Sequence, residues 1–407
     1  MKMFMGRQPI FNKEKQVFGY EVKLEKDFMS YMNKTAEEQH IEVGQAEHSE
    51  SKLKFWVDLL RSQHQIFVTI PNLDLLYALP SKGLDHNMVY GIKGDLNKLE
   101  DYIGRVKYLK GRGCLFMLQD MEQVSTGSKY LEYMDLVRLD FNNFTKSDSK
   151  PCLSAINKKG LKVLANHVQT YDQFRLALQC GVEYFMGDFF KTPDLSTGRS
   201  LYVNQVSHFQ LLKEINQPHM RFHRLEGIIE RDATLAIKIL QFINSSHFGV
   251  RFRIRSIQHA LTMLGEKEIQ KWATLVIISS ISKGKPPELL TTALVRARFC
   301  EEMAVLSGQK NLKNECFFLG LISVLDAMLD LSMEEVLKRF PLSSIISEAL
   351  LGMSDNPMSL VLQLIINYEQ ANWFNLAETA HRLKIEEDVV VQTYFKALEF
   401  ASEDMGF

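Results

Sequence analysis

Residues 97–118 read Asn97-Lys98-Leu99-Glu100-Asp101-Tyr102-Ile103-Gly104-Arg105-Val106-Lys107-Tyr108-Leu109-Lys110-Gly111-Arg112-Gly113-Cys114-Leu115-Phe116-Met117-Leu118. Leu99, Tyr102, Ile103 and Val106 fall at the i, i+3, i+4, i+7 spacing of one helical face. Gly111 and Gly113 close that helix, and Cys114–Leu118 follows as a short apolar run of strand type. Outward from this unit the same alternation recurs. Phe18–Leu24, Ile66–Ile70, Met88–Ile92, Leu136–Phe141, Leu161–Ala165 and Tyr184–Phe190 are short and rich in Val, Ile, Phe and Tyr. A helical face appears in Ser51–Ser62 through Leu53, Trp56, Val57 and Leu60, and another in Tyr171–Gln179, just before the capping Gly181. Such alternation implies parallel strands joined by crossover helices. The number of strands favours a closed, TIM-like (β/α) barrel, in which chemistry sits at the C-terminal ends of the strands.

From Leu201 onward the pattern is helical. Asp232 reads as an N-cap before Leu235, Ile239, Phe242 and Ile243, and Ser256 as the cap of a helix that ends at Gly265. Further helices read through Lys267–Ile278, Leu289–Leu306, Glu315–Leu329, Met333–Phe340, Met358–Gln370, Leu376–Leu383 and Glu386–Ser402. The turn-rich Pro193–Gly198 marks the expected boundary. The fold class is therefore α/β plus all-α, with a barrel over 1–198 and a helical domain over 199–407.

The 407 residues are more than a single core usually holds, which agrees with two domains. A hydrophobic share of 46% and a charged share of 24% exclude a mostly disordered chain. The net charge of −1 argues against broad capture of nucleic acid or anionic membrane. No apolar run approaches the roughly 20 residues that cross a bilayer, and the N-terminus lacks a signal-like apolar stretch. Cys114, Cys152, Cys180, Cys300 and Cys316 are scattered, without a C-x-x-C pair. Reduced thiols in a cytoplasmic protein are the expectation.

Three stretches carry a family resemblance in the first half: Arg7-Gln8-Pro9-Ile10-Phe11, Gly19-Tyr20-Glu21-Val22-Lys23-Leu24 and Tyr184-Phe185-Met186-Gly187-Asp188-Phe189-Phe190-Lys191-Thr192-Pro193. This half resembles the EAL domain, the barrel of cyclic-di-GMP phosphodiesterases. The second half resembles the HDOD domain, a helical relative of HD hydrolases without their metal site. Its carriers are Asp232–Gly249, Ile254–Gly265 and Gly320–Leu329.

The EAL resemblance implies two-metal hydrolysis of a phosphodiester, which needs several carboxylates around Mg²⁺ or Mn²⁺. Set against the family pattern, the signature Glu stands as Glu21, but a phosphate-contacting arginine aligns with Glu25. The metal-binding Asn aligns with Thr69, and the metal-binding Glu of the next strand with Gly91. An Asp-Asp pair reads Gln119-Asp120. The catalytic Lys aligns with Arg138, its companion Asp survives as Asp140, and later positions read Asn166, Gln169 and Met186. Arginine does not titrate in the lysine's place. The expectation is a barrel that has lost most of its metal ligands, with no catalytic residue, no metal and no cofactor. Its remnant pocket comprises Gln8, Glu21, Asp120, Arg138 and Asp140. Binding of cyclic di-GMP without turnover would draw on Arg138 and Gln8, and the charge of Glu25 opposes it. Each surviving polar residue also has a structural reading: Glu21 pairs with Lys23 or Arg138, and Asp140 caps a turn.

In the helical half, the positions corresponding to the HD pair read Ser323-Val324. His219, His223, His247 and His259 form no metal-ligand pattern. Arg251, Arg253 and Arg255 alternate with Phe252 and Ile254, so an extended segment presents three guanidinium groups on one face. Either this is a contact patch for a phosphate, a nucleic acid or an acidic partner, or it is a solvated linker anchored by Phe252 and Ile254; the absence of a basic excess favours the linker. Trp272, Leu275, Ile277 and Ile278 read as core. The expected function is bacterial signal transduction by a pseudoenzyme adaptor. It acts through protein–protein interaction with other signalling proteins, with a homodimer as one form. The alternative is a cyclic-di-GMP phosphodiesterase or receptor.

Overall fold

In the computed structural model, eight strands among the described residues close a barrel in chain order. They are β1 (Met5–Asn12), β2 (Val17–Leu24), β3 (Gln65–Ile70), β4 (Met88–Ile92), β5 (Leu115–Leu118), β6 (Leu136–Asp140), β7 (Lys162–Asn166) and β8 (Tyr184–Met186). The structure describes residues 5–24, 64–70, 73–78, 87–93, 96–119, 129–143, 153, 156, 158–197, 212, 223, 226–227, 229, 233–244, 254–339 and 342–402. The helix expected at Ser51–Ser62 and the cap Asp232 lie outside them.

Neighbours from β2 to β8 are parallel, as the alternation requires. β1 is antiparallel to both β2 and β8, which corrects the all-parallel expectation. The reason is local. Lys13–Gln16 is too short to hold a crossover helix, so β1 returns as a hairpin. Asn12 Oδ1 accepts the Gln16 N–H at 2.9 Å, and Lys15 turns the chain at φ +61°. The last strand is shorter than Tyr184–Phe190, because the chain turns at Gly187, φ +146°. A Cβ there would run into the Val168 backbone. Phe189 and Phe190 follow in a 3-10 turn and are buried.

The barrel's middle layer is apolar: Ile10, Phe67, Val89, Met117, Leu136, Leu164, Tyr184 and Met186. Side chains alternate along a strand. The next inward residues toward the C-terminal ends of the parallel strands are therefore Thr69, Gly91, Gln119, Arg138 and Asn166. β1 runs the other way, and Gln8, in register with Glu21, joins the same layer. Outside the barrel, α1 (Ile103–Lys110) is preceded by a 3-10 segment, Leu96–Tyr102, where a continuous helix was expected. α2 (Tyr171–Gln179) starts at a capping box of Thr170 and Gln173 and ends before Gly181, φ +85°.

The chain divides into two units, Met1–Phe190 with Glu369–Ala371, and Lys191–Tyr368 with Asn372–Phe407. This division falls earlier than the boundary after residue 198. Within the second unit, the Asp194 N–H donates to Asp330 Oδ1 at 2.8 Å, and Lys285 pairs with the same carboxylate oxygen. The segment read as the boundary is thus tied down by a buried charge.

The second unit is helical among the described residues. Its helices are α3 (Ala233–Ile243), α4 (Ile257–Leu264), α5 (Glu266–Ile281), α6 (Pro287–Leu306), α7 (Lys313–Ile322), α8 (Leu325–Leu329), α9 (Met333–Arg339), α10 (Ser344–Leu351), α11 (Pro357–Glu369), α12 (Trp373–Arg382) and α13 (Glu387–Ser402). Ser256 caps α4, its Oγ accepting the His259 N–H at 3.1 Å. The helix expected over Glu315–Leu329 is two helices, broken at Ser323-Val324. α10 was not read from the sequence. α6 is buried along most of its length and packs on α7 and α13. A Cβ on Gly320 would strike the Arg296 carbonyl, so glycine lets α6 and α7 come close. Trp272, Leu275, Ile277 and Ile278 are buried, as core residues should be.

Candidate functional site

The upper layer of the barrel is a connected polar network. Arg138, on β6, donates from one terminal nitrogen to Glu21 Oε1 at 2.8 Å and from the other to Gln119 Oε1 at 2.9 Å. Gln119 Nε2 donates in turn to Thr69 Oγ1 at 2.7 Å. β2, β3 and β6 each contribute one member, and Gln119 directly follows β5. β4 contributes space: a Cβ at Gly91 would collide with Gln119 Nε2. The Glu21 and Arg138 side chains are 5% and 14% exposed, so this is a buried, charge-assisted contact.

Of the pocket residues named from sequence, the structure brings Glu21 and Arg138 into contact and sets Gln8 opposite Glu21. Asp140 ends β6 at the mouth, and its Oδ1 accepts the Asn142 N–H at 3.0 Å, the turn-capping role read for it. Asp120 lies outside the described residues, as does Glu25. His167 was not read from the sequence as a site residue. Its Nδ1 lies 3.0 Å from Asp140 Oδ1. The signal available was a histidine directly after a strand of the barrel, but only the strand register shows that β6 and β7 set Asp140 beside it.

In the helical unit, Arg251 and Arg253 lie outside the described residues, as do His219 and His247. Arg255 is exposed. Ile254 is buried and clamped by Asn244: its N–H donates to Asn244 Oδ1 at 2.7 Å, and Asn244 Nδ2 donates to its carbonyl at 2.8 Å. At the position of the HD pair, Arg296 donates to Ser323 Oγ at 3.1 Å. Asp326 is pushed up to about 6 by burial, and its Oδ1 is buried without a hydrogen-bond partner among the described residues. Among the described residues, no three His, Cys, Asp or Glu side chains gather as a metal-binding group. None of the described helices is long and apolar enough to cross a membrane. Cys114, Cys300 and Cys316 are buried thiols outside any disulfide.

Residues 204–336 match the HDOD domain family. The chain is 29% identical over 409 aligned residues to the uncharacterized protein YuxH of Bacillus subtilis, covering 98% of both chains. It is 27% identical over 406 residues to the cyclic di-GMP phosphodiesterase CdgJ of Vibrio cholerae, covering 98% of this chain and 92% of that protein. Among solved structures, an EAL domain protein of Listeria monocytogenes aligns with a TM-score of 0.33 and 17% identity, covering 46% of this chain and 87% of that one. A standalone EAL protein of Vibrio cholerae, in its c-di-GMP-bound form, aligns with a TM-score of 0.30 and 19% identity, covering 46% and 90%. The closed barrel described above stands on its own strand topology. In architecture, the chain is a closed β/α barrel followed by a helical region, in which residues 204–336 match the HDOD domain family.

Proposed function

We propose that this protein is a non-catalytic adaptor in cyclic-di-GMP signalling. On this reading the barrel is a pseudo-phosphodiesterase, and output passes through contacts with other signalling proteins. The carrying observation is the Arg138 guanidinium, held between Glu21 and Gln119. Two-metal hydrolysis wants several carboxylates converging on one small volume. Among the described residues the one carboxylate of that buried layer, Glu21, is matched by a fixed protein cation, and its neighbours are the neutral Thr69, Gly91 and Gln119. These residues do not fit a pair of hard divalent ions. A guanidinium in that layer also repels a metal ion and offers no titratable group at neutral pH.

The reading is tested by incubating the purified full chain with cyclic di-GMP and Mn²⁺. No turnover above a protein-free control is expected. A second reading, a cyclic-di-GMP phosphodiesterase, is favoured by the near full-length likeness to CdgJ. Turnover that disappears in Glu21→Ala would establish it and remove the adaptor reading.

A further inference from the structure

The chain leaves the barrel unit at Phe190 and enters the helical unit at Lys191. Both sides of that passage are anchored, each within its own unit. On the barrel side, the loop after β7 is bonded to the turn after β8. The Val168 N–H donates to the Met186 carbonyl at 3.0 Å, and the Phe189 N–H donates to the Val168 carbonyl at 3.1 Å. Gly187 lets the two backbones approach, since a Cβ there would fall 2.1 Å from the Val168 carbonyl oxygen. Phe189 stacks on Phe174 with ring centres 4.8 Å apart, and Phe190 packs on Phe11 at the same separation.

On the helical side, Asp194 is buried, and its N–H donates to Asp330 Oδ1 at 2.8 Å. Lys285 pairs with the same oxygen, and the Lys285 and Asp330 side chains are 5% and 3% exposed. Asp330 ends α8 at φ +57°, and Lys285 follows Gly284, φ +85°, in the turn between α5 and α6. One carboxylate thus holds the incoming chain, the end of α8 and the α5–α6 turn. Between the two anchors stand Lys191, Thr192 and Pro193. The four chain steps from Phe190 to Asp194 span at most about 14 Å, and Pro193 fixes its own φ. Such a segment has little slack. Chain ends fray unless they are tied down, so the order of Phe189 and Phe190 depends on what holds the chain beyond them.

We propose that Lys191–Pro193 is a strap that couples the loop after β7, at the barrel's mouth, to the end of α8 in the helical unit. Its two states are the Asp330–Lys285 clamp closed on Asp194 and the clamp open. With the clamp closed, the chain beyond Phe190 is fixed, and the bond from Phe189 to Val168 is protected. With the clamp open, the released segment regains conformational entropy, and that bond opens more often. The coupling is reciprocal: a partner that orders the loop after β7 tightens the clamp, and one that displaces α8 loosens the mouth. The strap acts whether or not the barrel is catalytic.

The test is hydrogen exchange of the full chain, read by mass spectrometry on peptides containing Val168 and Phe189. Lys285→Met combined with Asp330→Gly opens the clamp without leaving a buried charge unpaired, and glycine suits the left-handed backbone. Exchange at Val168 and Phe189 is expected to rise about tenfold or more, with β4 unchanged. A Gly/Ser insertion of about six residues between Thr192 and Pro193 leaves both anchors in place and removes the restraint. It is expected to give the same acceleration, and the clamp substitutions should then add nothing further. Unchanged exchange at Val168 and Phe189 in either variant overturns the proposal. So do effects that add, or a rise that extends equally to β4. The insertion variant alone decides the matter if the clamp variant does not fold.

Discussion

Arg138 and Glu21, 117 residues apart in the chain, meet at 2.8 Å inside the barrel. Their strands, β2 and β6, are not neighbours in the sheet, so the contact crosses the lumen. Removing one partner leaves a buried charge uncompensated, which typically costs about 3–5 kcal/mol. Arg138→Met and Glu21→Gln are each expected to lower the barrel's urea midpoint strongly. The double variant is expected to recover much of the loss, because no charge is then left unpaired. Additive losses in that cycle would show that the pair is not a unit.

Gly91 makes room for the same network. In Gly91→Ala, the added methyl displaces the Gln119 amide, whose Nε2 donates to Thr69 and whose Oε1 accepts from Arg138, and so breaks both bonds. A loss of about 1–3 kcal/mol is expected from the overpacking. Gln119→Ala in the same chain empties the space the methyl needs, so Gly91→Ala should cost much less in that background. Equal costs in the two backgrounds would place the clash elsewhere.

The strand–helix alternation was readable because each barrel strand is buried on both faces and therefore apolar. β1 was not read as a strand, although Arg7–Phe11 was noticed as a motif. Its pairing depends on the hairpin at Lys13–Gln16, a turn held by Asn12 that leaves little trace in periodicity. The identities at Thr69, Gly91, Gln119 and Arg138 were legible as departures from a family pattern. Their mutual hydrogen bonds were not, because these join strands that only barrel closure brings face to face. The dyad of Asp140 and His167 escaped for the same reason. The break at Ser323-Val324 was hidden by continuous apolar residues on both sides of it.

Asp326 gives the helical unit a pH dependence. Burial pushes its carboxyl from 3.8 up to about 6, against the opposing pull of Arg296 and of backbone N–H groups, while Glu334 adds a smaller push upward. In that interval the folded chain binds a proton that the unfolded chain has released. Stability is therefore highest below about pH 4, falls as pH rises toward 6 and is flat above it. A shift from 3.8 to about 6 corresponds to roughly 3 kcal/mol at most. Asp326→Asn is expected to remove this slope and to raise stability at pH 7. The check is urea unfolding of both proteins at pH 4, 5, 6 and 7; parallel curves would contradict the assignment.

Lys271 is the complementary case, a buried cation that keeps its partner. Its ammonium lies 2.7 Å from Glu301 Oε1, 4.1 Å from the centre of the Phe317 ring and 5.2 Å from that of Trp272. Glu301 also accepts from Arg298 at 2.8 Å through its other oxygen. The two cations differ in what they can do when the carboxylate is lost. Arg298 keeps a contact with Glu302 and is 35% exposed, so water can replace what it loses. Lys271 is 8% exposed and would be left charged among aromatic rings. Glu301→Gln is therefore expected to cost about 3–5 kcal/mol, and Lys271→Met distinctly less, because Arg298 still matches Glu301. The pair is shielded from solvent, so raising the salt from 0.1 to 1 M, which shortens the screening length from about 10 to about 3 Å, should leave that difference nearly unchanged. Thermal unfolding of the two variants at both salt concentrations measures it. Equal losses, or a difference that collapses in high salt, would mean that Lys271 reaches water and that the aromatic box does not enclose its charge.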